Sequence, residues 1–94
     1  MRIRKIEKEI LENVFPNVKM KFLQATPDNR LRGFTNAEDS LALLICDSSI
    51  PRPLIEVLAQ LMLCHKHFDV VISHYKDKIL VIMTKVKESI TPNT

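Results

Sequence analysis

The stretch Asp69-Val70-Val71-Ile72-Ser73-His74-Tyr75-Lys76-Asp77-Lys78-Ile79-Leu80-Val81-Ile82-Met83 decides how this chain folds. Two runs rich in β-branched residues flank Lys76-Asp77, and a two-residue connection between such runs predicts a β-hairpin. That turn also sets the register: Tyr75 faces Lys78, His74 faces Ile79, Ile72 faces Val81 and Val70 faces Met83. Side chains alternate across a strand, so Val70, Ile72, Ile79, Val81 and Met83 share one face, and Val71, Tyr75, Leu80 and Ile82 the other. Both faces are apolar, and each needs a cover. Either the two helices lie on opposite faces, or both lie on one face and a second copy covers the other. The shortness of the chain tips the expectation toward a homodimer.

Upstream, Leu41-Ala42-Leu43-Leu44-Ile45-Cys46 is a continuous apolar run whose length predicts a strand buried on both faces. Asp47-Ser48-Ser49 offers capping side chains to a helix predicted over 51–66, with Pro51 and Pro53 in its lead-in or first turn. On that helix Leu54, Val57, Leu58, Leu61, Met62 and His65 share one face.

At the start, Ile3, Ile6, Ile10, Leu11 and Val14 recur at helical steps, with Arg4, Lys5, Lys8, Glu9 and Glu12 opposite. A helix over 3–15 follows, stopped by Pro16. Residues 18–25 and 30–35 alternate as strands around the turn Thr26-Pro27-Asp28-Asn29, and 36–39 form a connection. The order is helix-strand-strand-strand-helix-strand-strand. This is an α+β fold, a mostly antiparallel sheet packed with two helices, in a single domain over 1–94 with a flexible tail from about 88 to 94.

The totals exclude more than they identify. The chain has 94 residues, formal net charge +3, two cysteines and one glycine. No apolar run spans a bilayer, and nothing behind the basic start resembles a secretory leader, so no membrane and a cytoplasmic setting are expected. Cys46 and Cys64 sit in apolar surroundings and read as buried thiols in a reducing compartment. One glycine, Gly33, cannot build a phosphate-cradling loop, and no Gly-x-Ser-x-Gly elbow occurs. Cys64-His65-Lys66-His67, with Asp69 and His74, has metal-ligand types without a recognised spacing. The expectation is a protein with no catalytic residues, cofactor or metal.

The element order resembles that of the restriction-endonuclease-like core, which implies an acid on the second strand and an acid-x-Lys on the third. Here Asp28 lies in a turn, and Ile45-Cys46-Asp47-Ser48-Ser49 has no lysine, so the likeness implies at most a degenerate nuclease-like fold without a complete active site. The order is also similar to that of secretion-chaperone-like domains, whose acidic character this sequence lacks.

One motif suggests a ligand. Lys19 and Lys21 alternate on the first hairpin strand and Arg30 and Arg32 on the second, with Met20, Phe22 and Leu31 expected to point the other way. Four cations on one ribbon face would track phosphates, and Phe34 would add a stacking surface. The functional expectation is a small non-enzymatic binding or regulatory protein, associated with nucleic acid through Lys19, Lys21, Arg30 and Arg32. The alternative is a protein–protein adaptor or inhibitor acting as a homodimer through an apolar sheet face or open strand edge.

Overall fold

The computed structural model describes residues 2–62 and 67–86. In chain order the elements are α1 (Lys5–Val14), β1 (Met20–Ala25), β2 (Leu31–Asn36), β3 (Leu41–Asp47), α2 (Arg52–Met62), β4 (Phe68–Tyr75) and β5 (Lys78–Lys85). The strands form one antiparallel sheet in the order β1-β2-β3-β5-β4. This is the α+β architecture the periodicities predict. The β4–β5 register is also as predicted, from Val70 opposite Met83 to Tyr75 opposite Lys78.

β3 organises the molecule. Ala42, Leu44 and Cys46 project to one face and pack with Leu31, Ile50, Ile55, Ala59, Val81 and Met83 beneath α2. Leu43 and Ile45 project to the other and pack with Ile10, Leu11, Met20, Phe34 and Leu80 beneath α1. Leu43 and Leu44 are both fully buried, and each such side chain contributes roughly 1.5–3 kcal/mol by leaving water. The two helices therefore lie on opposite faces. Each face of the sheet finds its cover within one chain, so a second copy is not needed to shield either centre, and the reason for expecting one on that ground is removed.

Local chemistry sets the boundaries. α1 ends where Phe15 donates its amide to the Leu11 carbonyl, at 2.8 Å, before Pro16 and a left-handed Asn17 (φ 67°). α2 begins after Pro51, whose carbonyl accepts from the amides of Leu54 (3.0 Å) and Ile55 (3.2 Å). Asp47 lies too far upstream to cap it; its carboxylate accepts from the Ser49 amide at 3.0 Å and closes the preceding turn. The helix predicted over 51–66 runs from Arg52 to Met62. Cys64, His65, Lys66 and the tail from 88 to 94 lie outside the described residues.

α2 does not turn the stripe of Leu54, Val57 and Leu61 toward the sheet. The sheet side is formed by Ile55 and Ala59, with Leu58 partly buried against it, whereas Leu54, Val57 and Leu61 are 44%, 51% and 66% exposed. The apolar arc of this helix is wider than the strip the sheet covers, and the sequence cannot say which half turns inward.

Candidate functional site

The first hairpin does not assemble four cations. In the observed register Phe22 faces Phe34 and Lys21 faces Thr35. Arg32 therefore shares a face with Phe22 and Phe34, beneath α1, while Lys21 projects to the opposite side with Leu31 and Gly33. The expectation that Met20, Phe22 and Leu31 share one face fails for the same reason: Met20 and Phe22 pack under α1 and Leu31 under α2.

Arg32 is 3% exposed and ion-paired with Glu7 of α1, itself 2% exposed. Its Nε and Nη2 both donate to the Glu7 carboxylate, and Nη2 also donates to the Arg2 carbonyl at 3.1 Å. The guanidinium carbon sits 4.6 Å from the centre of the Phe22 ring. A planar fork satisfied on its edge and stacked on its face is structural equipment, closed to phosphate. Glu7 was legible as an anomaly: it lies on the Ile3, Ile6, Ile10, Leu11 stripe, where a charge needs a buried partner.

Arg30 is exposed but engaged. Its Nε donates to Asp28 Oδ2 at 2.7 Å, and its Nη1 to Ser49 Oγ at 3.3 Å. Asp28 also accepts from Thr26 Oγ1 and the Arg30 amide, and these bonds hold its carboxyl down at a pKa of about 2. Lys19 and Lys21 are exposed at the β1 edge. The four sequence candidates thus divide into one buried cation, one tethered to an acid and two exposed, Lys21 on β1 and Lys19 just before it.

Other reactive groups are poorly placed for chemistry. Cys46 is buried, and desolvation pushes its thiol up to about 11, where no thiolate is available at neutral pH. Among the described residues no three His, Cys, Asp or Glu side chains gather where they could hold a metal ion. Tyr75 donates its hydroxyl to Glu9 Oε2 at 2.5 Å, and this bond raises the tyrosine pKa while lowering that of Glu9. That contact joins α1 to the end of β4.

The surface features that are concentrated are apolar. Leu54, Val57 and Leu61 recur at helical steps along the outer side of α2. Val70 and Val71 are 46% and 57% exposed on the edge strand β4. Between the two elements runs a shallow groove of about 200 Å³, lined by Ile55, Glu56, Ala59, Gln60, Val70 and Ile72. No helix among the described residues is long and apolar enough to cross a membrane. Comparison with protein-family models, with curated proteins and with solved structures finds nothing that matches this chain, and its function is read from its own geometry.

Proposed function

We propose that this protein is a non-enzymatic interaction module that recognises other polypeptides. The observation that carries the reading is the distribution of exposed apolar side chains: Leu54, Val57 and Leu61 recur along the outer side of α2, and Val70 and Val71 stand about half exposed on the edge strand β4, Val70 lining the groove that β4 forms with α2. Exposed apolar residues clustered in this way mark surfaces that bind, whereas scattered ones carry no such meaning. The helix stripe suits an amphipathic helix of a partner, and the strand edge an extended segment.

The nucleic-acid reading has less support, because its cations are dispersed. A salt-dependent footprint needs several phosphate contacts at once, and Lys19 and Lys21 alone supply few. The discriminating experiment places a photo-crosslinking residue at Val57, or at Lys8 on the outer side of α1 as a control, in cells that express the protein. Discrete adducts with protein from position 57 and not from position 8 support the module. Adducts with nucleic acid, or equal labelling from both positions, sink it.

A further inference from the structure

We infer that two copies of this chain join through β4, edge to edge and antiparallel about Val71, to make one continuous sheet. The inference rests on the interaction-module reading and names a partner for one part of that surface.

The two edges of the sheet differ in the way that matters. Edge strands attract other strands, and proteins blunt them with lysine, proline or bulges. β1 carries Lys21 and a register irregularity between Phe22 and Gln24. β4 has no lysine and no proline over Phe68–Tyr75, and its pairing with β5 runs through eight residues without a shift. Among the described residues, one edge is guarded and the other is open.

The backbone of β4 is oriented for a partner. The Val86 amide donates to the His67 carbonyl at 2.9 Å, which fixes the odd-numbered residues of this strand as those bonded to β5. By alternation, Phe68, Val70, Ile72 and His74 turn their N–H and C=O groups away from the sheet. Val70 and Val71 project to opposite faces and both are about half exposed. A ligand docked on one face would cover only one of them; a strand added in the plane of the sheet covers both.

The sequence of β4 indicates which strand. An antiparallel pair of identical strands sets each residue against its mirror position, so self-pairing requires a segment that is palindromic in character. Phe68-Asp69-Val70-Val71-Ile72-Ser73-His74 has that property about Val71. Val71 meets Val71 of the second copy on the α1 face, where Asp69 meets Ser73. On the α2 face Val70 meets Ile72 and Phe68 meets His74, all ring or aliphatic pairs. No like charges oppose, and the apolar pairs are the kind that stabilise sheets. Pairing with an unrelated strand would require no such symmetry.

Sedimentation equilibrium from low-micromolar to near-millimolar protein tests this directly. The chain is expected to dimerise, and joint Val70→Lys and Val71→Lys substitution to raise the dissociation constant by at least about tenfold, some 1.4 kcal/mol, with unchanged far-UV circular dichroism. Because that variant can lose its fold, a second measurement stands beside it. Val71→Cys in a Cys64→Ser background is expected to form an intermolecular disulfide under mild oxidation, since directly opposed residues of a non-hydrogen-bonded pair lie about 4.5 Å apart at Cα. Val57→Cys on α2 in the same background is expected not to. A monomer at every concentration overturns the inference. A dimer that resists the lysine substitutions and cross-links through position 57 also overturns it, while leaving the interaction-module reading intact.

Discussion

Arg32 of β2 and Glu7 of α1 form a two-pronged ion pair in which both side chains are 3% exposed. It is the polar fastening of α1 to the sheet, set beside Ile6, Phe22 and Ile45. Removing one partner strands a buried charge, so Glu7→Ala or Arg32→Ala alone is expected to cost about 3–5 kcal/mol. Replacing both, as Glu7→Leu with Arg32→Met, is expected to recover most of that loss. Urea unfolding of the two single variants and the double variant checks the pattern; additive losses would show that the pair is not coupled.

Acid should expose the Asp28 turn. Its folded pKa of about 2 lies below the ordinary 3.8 because Thr26 and Arg30 donate to the charged form. The unfolded chain therefore takes up the proton first as pH falls. The stability this carboxylate supplies is present above about pH 4 and is lost as pH falls toward 2. Asp28→Asn is expected to flatten that part of the stability–pH curve, and a curve of unchanged slope would refute the assignment.

Cys46 supplies a reporter of opening. Its thiol, fully buried on the α2 side of β3 and held at about 11, is expected to resist an aromatic disulfide reagent in native buffer and to react in denaturant. The measurement uses the Cys64→Ser background so that one thiol is counted. Rapid labelling of the native protein would mean that β3 opens far more readily than its burial implies.

Lys76 turns the β4–β5 hairpin with φ 53°, a left-handed conformation that costs an ordinary residue about 1–2 kcal/mol. Its ammonium group pairs with Glu9 at 3.3 Å, but both side chains are largely exposed and the pair contributes little. Lys76→Asn is therefore expected to raise stability by about 0.5–1 kcal/mol in thermal or urea melts. A loss of stability would indicate that the Glu9 pair outweighs the turn.

The elements and their order were legible because each rests on a local signal: the period of α1, the doubly apolar run of β3 and the two-residue turn at Lys76-Asp77. The β4–β5 register was legible for the same reason, since a tight turn leaves no slack. The register of β1 against β2 was not. Their four-residue turn admits more than one alignment, and choosing between them required knowing that Glu7 waits beneath the sheet for Arg32. Alternation alone assigns Arg32 to a basic outer face, where the structure holds it in a buried ion pair. The inward side of α2 was equally hidden, because Leu54, Val57 and Leu61 match Ile55 and Leu58 in hydropathy and only the packed sheet breaks the tie. The β4 edge was within reach of the sequence as an open strand, but its placement at the margin depends on β5 inserting between β3 and β4, a nonlocal event.

Leu43 and Leu44 are neighbours in the chain and strangers in the interior. β3 acts as a party wall, with Leu43 furnishing the room under α1 and Leu44 the room under α2. Close-packed interiors pass strain to whatever they touch, yet these two rooms touch only through the backbone between them. Evolution can therefore refurnish one side of this protein, altering what it presents there, while the other side keeps its shape.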